Sequence, residues 1–172
     1  MKEYLLKFSR LENGSHEFDY HVNDSFFNHF EQSLVEKGEV KVKVVLEKTA
    51  LVLTLNFALK GKLYIPCNRC LDLVELPIET EHQLFVKFGE VATDISDVDE
   101  IMVIEESTTE LDLSQHIYEF ISLSIPYRVT HAETAKTKCN PEMIKRLNSY
   151  LITEEDKPTD PRWDALKTII NN

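Results

Sequence analysis

Two cysteines three positions apart, in Pro66-Cys67-Asn68-Arg69-Cys70-Leu71, can turn both side chains toward one point. Thiolates converging in this way bind a metal ion or each other, and zinc is the candidate cofactor. One such pair is half of a tetrahedral ligand set. The remainder has to come from Cys139, the one other cysteine, together with His131 or His82, or from a second subunit. His131 precedes Cys139 by eight residues, longer than the usual ligand spacings. A pair of small packing residues in a hairpin turn is the plainer alternative for Cys67 and Cys70.

A Cys-x-x-Cys also serves thiol-disulfide enzymes, where the pair opens a helix whose N-terminus stabilises the attacking thiolate. The flanks Leu63-Tyr64-Ile65-Pro66 and Leu71-Asp72-Leu73-Val74 read as strands, which leaves Arg69 as the sole local source of positive charge. Redox catalysis is therefore the weaker reading. Other enzymatic signatures are missing: Gly-x-Ser-x-Gly, His-Glu-x-x-His and Gly-rich phosphate loops do not occur. With four glycines in the whole chain, no backbone cradle for a nucleotide can be assembled, and no small-molecule substrate suggests itself. The lysines offer a different chemistry. Lys41, Lys43, Lys48, Lys60 and Lys62 fall on adjoining candidate strands, and Lys136, Lys138, Lys145 and Arg146 cluster later, so either group can contact RNA phosphate. Ordinary solvated lysines are the plainer account of both groups.

The elements that position these residues follow from apolar periodicity. Tyr4 to Phe8 reads as a strand, continued by an extended segment through Leu11, Gly14, His16, Phe18 and Tyr20. Asp24 looks like a helix cap, and Phe26, Phe27, Phe30 and Leu34 recur at helical spacing until Gly38. From Val40 the period becomes two: Val40, Val42, Val44 and Leu46, then Leu51, Leu53, Leu55, Phe57 and Leu59, predict two antiparallel strands with a tight turn near residues 48–50. Residues 62–66, 73–88 and 101–104 are further strand candidates, the second bulged, broken or at a sheet edge at Pro77. Asp112 with Gln115 has the form of a capping box for a helix carrying Leu113, Ile117, Phe120 and Ile121 and stopped by Pro126. Asn140-Pro141 suits the start of another, with Ile144, Leu147 and Leu151 along one edge, and Pro161 the start of a last one with Trp163, Leu166, Ile169 and Ile170. The expected fold class is α+β, an antiparallel β-meander of about five strands that can curl toward a barrel, covered by amphipathic helices. Residues 1–126 form the expected core domain, and 127–172 a helical extension packed on it or tethered to it.

With 172 residues, 42% hydrophobic and 28% charged, the chain has enough apolar material for a core. No apolar run reaches the roughly 18–20 residues that a membrane helix needs, and the opening Met-Lys-Glu-Tyr-Leu-Leu-Lys has no secretory stretch, so a cytoplasmic location away from membranes is expected. The net charge of -11 is unevenly spread: residues 1–60 carry -1, residues 61–125 carry -11 and residues 126–172 carry +1. No Lys or Arg occurs between Lys87 and Arg128, and that stretch repels phosphate. It reads as a solvated acidic loop or as a docking face for a basic partner.

The Cys-Asn-Arg-Cys-Leu loop after a hairpin, the acidic stretch, the Asp-Leu-Ser helix ending Leu123-Ser124-Ile125-Pro126, and the tail Asp160-Pro161-Arg162-Trp163 together resemble the bacterial YceD family of large ribosomal RNA subunit accumulation proteins. The resemblance runs from about Val40 to Ile170 and implies a non-enzymatic role in 23S ribosomal RNA synthesis, processing or stability. Partners would be the pre-ribosomal large subunit, its 23S RNA, or ribosomal and assembly proteins. It also singles out Cys67, Arg69, Cys70, Asp160, Pro161, Arg162 and Trp163. One departure stands out: many members carry a second cysteine pair after the helix-ending proline, where this chain has Lys138-Cys139-Asn140-Pro141 and a single cysteine. A zinc site here would have lost part of its ligand set or rebuilt it with His131. The rivals to the ribosomal role are a zinc-stabilised protein-interaction module and the thiol-disulfide enzyme.

Overall fold

The computed structural model of the chain describes residues 2–31, 33–89, 101–135, 137–151 and 162. The period-two stretch forms two long strands, β3 (Lys37–Lys48) and β4 (Val52–Pro66), joined by a turn in which the Thr49 backbone N–H and Oγ1 both donate to the Val52 carbonyl. Val40, Val42, Val44 and Leu46 of β3 and Leu53, Leu55, Phe57 and Leu59 of β4 are all buried on one face. Each such side chain contributes about 1.5–3 kcal/mol by leaving water. The separate candidates at 51–59 and 62–66 are one strand, because Gly61 lets the chain pass close to Val40 without a break.

β2 (Gly14–Val22) lies antiparallel on the far side of β3, and β5 (Leu73–Phe88) pairs with β4 along its length. Pro77 sits opposite Lys62, where β5 has no second neighbour among the described residues, so its missing N–H interrupts no outer ladder. β6 (Ile101–Ile104) joins β5 at Phe85–Phe88, and the sheet order is β2-β3-β4-β5-β6. A second, two-stranded sheet pairs β1 (Leu5–Lys7) with β7 (Glu110–Asp112).

The fold is α+β, but the expected helix-covered antiparallel meander needs three corrections. β6 runs parallel to β5. The sheet does not close into a barrel, since β2 and β6 stand at opposite ends of the strand order and do not pair. The layer over the buried face is mixed rather than helical: Leu6 and Leu111 from β1 and β7, Phe26 and Phe27 from α1 (Asp24–Phe27), and Ile117 and Ile121 from α2 (Ser114–Leu123) enter one core with β3 and β4.

The helix expected from Phe26 to Gly38 is a single turn. Its cap is Asn23, whose Oδ1 accepts the Ser25 N–H at 3.1 Å, while Asp24 accepts the Gly38 N–H at 2.9 Å and so ties the turn to β3. At α2, Asp112 Oδ1 accepts the Ser114 N–H at 2.8 Å, but Gln115 donates to Glu119 instead of reaching back to complete a capping box. The last described helix, α3 (Pro141–Tyr150), begins as its sequence indicates, with Asn140 Oδ1 accepting the Glu142 N–H at 3.0 Å. It buries none of its residues.

Candidate metal centre

Pro66 ends β4, and the loop that turns the chain into β5 carries both cysteines of the Cys-x-x-Cys. Two backbone bonds close it: Cys67 N–H donates to Asp72 O at 2.9 Å, and Leu71 N–H to Cys67 O at 3.0 Å. The tightness forces Leu71 to a φ of 67°, a left-handed conformation that a non-glycine residue adopts at a cost of about 1–2 kcal/mol. Both cysteine side chains are turned inward and buried, while Leu71 is 68% exposed.

Asn68 connects this loop to residues 61 positions away. Its backbone N–H donates to Val129 O at 2.8 Å, and its side-chain Oδ1 accepts the Val129 N–H at 2.6 Å. Val129 and Thr130 are buried beside the loop, and His131 follows them. From there the chain coils through one wide turn, His131–Ala135, held by Thr134 N–H to Thr130 O at 2.9 Å and Thr137 N–H to His131 O at 3.0 Å. That turn brings Cys139 back against Cys67.

The result is a cluster of Cys67, Cys70, His131 and Cys139 whose donor atoms all lie within 4.8 Å of one another, close enough to hold a metal ion. Cys67 Sγ is 3.9 Å from Cys139 Sγ, and Cys70 Sγ is 3.4 Å from His131 Nδ1. A disulfide needs sulfurs about 2.05 Å apart. The three cysteines are accordingly free thiols. Burial pushes the Cys67 thiol up, but the N–H groups of Cys70, Arg69 and His131 and the His131 side chain outweigh it and lower it to about 6. Cys139 moves the other way, raised by burial and by the neighbouring sulfurs of Cys67 and Cys70. One sulfur is thus held near the thiolate, the form in which cysteine binds metal.

Of the ligand alternatives open in the sequence, the structure assembles Cys139 with His131 within one chain. His82 lies elsewhere, stacked on Phe120 of α2 with ring centres 4.3 Å apart and bonded to Thr80 Oγ1 at 3.0 Å. Arg69 is exposed, and its backbone N–H donates to Cys67 Sγ at 3.4 Å. Asn68, which the sequence reading passed over, is the residue that ties the loop to the histidine segment. No local signal marks it, since its partner is distant in the chain.

Among the described residues, no other singled-out residue joins the cluster. Asp160, Pro161, Trp163 and Lys136 fall outside the described residues, as do residues 90–100 of the acidic stretch, and Arg162 is exposed. Lys41, Lys43, Lys60 and Lys62 project from the outer sheet face, where Lys43 pairs with Glu17 at 2.8 Å, Lys60 with Glu79 at 2.8 Å and Lys62 with Glu75 at 2.7 Å. Lys138, Lys145 and Arg146 are exposed beside the cluster and along α3, with no ion pair among the described residues.

Comparison with known proteins adds a family to this geometry. A family model described as "Large ribosomal RNA subunit accumulation protein YceD" matches residues 55–169. The uncharacterized protein YlbN of Bacillus subtilis (strain 168) is 25% identical over 173 residues, covering 99% of this chain and 96% of that protein. No solved structure gives a significant match.

Proposed function

The chain belongs to the YceD family, and from that premise we propose that it is a non-enzymatic factor in the synthesis, processing or stability of 23S ribosomal RNA, and so in assembly of the large ribosomal subunit. The observation that carries this reading is the family match, which spans the cysteine loop, α2 and α3. The setting is the cytoplasm, in keeping with the absence, among the described residues, of any helix long and apolar enough to cross a membrane.

The chemistry of the cluster favours a structural over a catalytic role. A catalytic zinc keeps one coordination position open, whereas three cysteines and a histidine fill all four. Zinc is the resident ion that this reading calls for. The partners are pre-ribosomal large subunits: the acidic stretch is suited to basic ribosomal proteins or an assembly factor, and RNA is met through the outer thirds of the chain. There Lys138, Lys145 and Arg146 are favoured, because Lys43, Lys60 and Lys62 already neutralise carboxylates.

The test is a strain lacking the gene, in which the ratio of large- to small-subunit ribosomal RNA is measured with and without the restored full chain. A lowered ratio, recovered on complementation, is expected. An unchanged ratio sinks the ribosomal reading.

A further inference from the structure

α3 poses a problem of anchorage. It has ten residues, none of them fully buried: Met143 packs against the core, partly buried, while Leu147 and Tyr150 are 39% and 84% exposed. Isolated helices shorter than about 12–15 residues are marginal in water, and an asparagine cap contributes only about 1 kcal/mol. Something more than the packing of Met143 has to place this helix. Upstream, Val129 and Thr130 are docked on the cysteine loop through Asn68, and the turn at His131–Ala135 that follows lies against β5, with His131 Nδ1 3.4 Å from Cys70 Sγ. The last tie between this segment and the hairpin loop before the helix is Cys139, the residue immediately before the cap Asn140.

Two of the six donor–donor distances in the cluster are those of a tetrahedron around zinc. With Zn–S near 2.3 Å and Zn–N near 2.0–2.1 Å, the edges of a tetrahedral site are about 3.8 Å between two sulfurs and about 3.5 Å between sulfur and nitrogen. The structure has 3.9 Å from Cys67 Sγ to Cys139 Sγ and 3.4 Å from Cys70 Sγ to His131 Nδ1. Two ligands come from the hairpin loop and two from the segment that leads into α3. An ion bound there joins the two stretches as a covalent staple would.

We propose that a single zinc ion held by Cys67 Sγ, Cys70 Sγ, Cys139 Sγ and His131 Nδ1 of one chain is the clasp that fixes the start of α3 on the β4–β5 hairpin, so that metal, more than the partial burial of Met143, sets the helix in place. The inference rests on the zinc reading of the cluster and adds a consequence to it: losing the ion releases the helix and leaves the sheet intact. β3 and β4 are joined by a ladder from Lys37–Tyr64 to Lys48–Leu53 that uses none of the four ligands, although Cys67 and Cys70 are buried in the same core.

Purified full-length chain provides the test, so its outcome is independent of any ribosomal RNA phenotype. Metal analysis is expected to find about one equivalent of zinc, reduced to a small residue in Cys139→Ser and His131→Ala. Hydrogen exchange is then followed with the ion bound, after chelation, and after zinc is added back. The amides of residues 140–151 should lose protection by about tenfold or more on chelation and recover with zinc, while those of β3 and β4 hold theirs. Cys139→Ser, whose side chain is only half-buried, should reproduce the chelated pattern with the sheet's circular dichroism unchanged. Failure to bind zinc overturns the proposal at its first step. Stoichiometric zinc whose removal leaves 140–151 unaltered, or strips protection from β3 and β4 as well, overturns the clasp while sparing the metal site.

Discussion

Replacing Asn68 with alanine isolates the contact that brings His131 to the thiols. Asn68 Oδ1 accepts the Val129 N–H at 2.6 Å, and Val129 is 2% exposed, so truncation leaves a buried donor without its acceptor. Such a group costs about 1–3 kcal/mol. The metal-free variant escapes that cost by lifting residues 129–131 off the loop, where water satisfies the amide. Zinc binding must press the segment back, so the penalty appears in metal affinity. At about 1.4 kcal/mol per factor of ten, a central value near 2 kcal/mol weakens zinc binding about 30-fold. Asn68→Asp keeps a carboxylate oxygen at the accepting position and should retain most of the affinity. The assay is competition against a chromophoric zinc chelator at fixed pH, with circular dichroism confirming that each variant is folded. Affinity for Asn68→Ala within about twofold of the parent refutes the reasoning.

Three other perturbations test the surroundings. A Cβ at Gly61 would stand 2.1 Å from Glu39 O and 2.6 Å from Val40 Cα, both backbone atoms, so Gly61→Ala must part β3 from β4. Strain and lost ladder bonds amount to about 3 kcal/mol, a fall in Tm of roughly 6–12 °C, and a melt within about 1 °C of the parent would contradict this. Leu71 holds a left-handed φ while largely exposed, so Leu71→Gly should be neutral or stabilising by up to about 1 kcal/mol, whereas Leu71→Val should destabilise; equal urea midpoints for the two would remove strain from the account. Burial lowers the His82 pKa below its usual 6.5, which favours the neutral ring in the fold. The unfolded chain therefore takes up the proton first: this contribution is complete above about pH 6.5 and fades as pH falls toward the folded pKa. His82→Gln should flatten the stability difference between about pH 7.5 and 5.5 measured by urea unfolding, and an unaltered difference would exclude His82 as its source.

The long strands were legible because burying one face of a sheet imposes a period of two, and Val40, Val42, Val44 and Leu46 obey it without exception. Direction was not legible: the pattern of Ile101–Ile104 is the same whether β6 runs with β5 or against it, and the connection decides. Phe26, Phe27 and Phe30 misled because helical spacing and aromatic clustering look alike over so short a stretch. Their rings are satisfied by Tyr4 and Tyr118, with Phe30 stacked on Tyr118 at 4.0 Å, and Asp24 is spent on Gly38 rather than on a longer helix. At the cysteine–histidine cluster, the two loop cysteines could be read directly and His131 stood among the alternatives. Its eight-residue separation from Cys139 exceeds the usual spacing because the wide turn at His131–Ala135 folds the excess back on itself. That turn depends on the long-range Asn68–Val129 contact, which a reading of local pattern does not reach.

The two lysine groups, equal candidates in the sequence, are unequal in the fold. On the outer sheet face each of Lys43, Lys60 and Lys62 stands against a carboxylate. Exposed pairs of this kind are worth only about 0–1 kcal/mol, so a phosphate could displace them, but Glu17, Glu75 and Glu79 would remain beside it and cancel the attraction. Lys138, Lys145 and Arg146 face no such opposition among the described residues, and they lie on the stretch that the clasp would hold. For a factor acting on ribosomal RNA, the ion then does more than staple a short helix. On the proposed reading it would fix where a basic cluster sits relative to an otherwise acidic chain, and so make the presentation of that cluster depend on zinc.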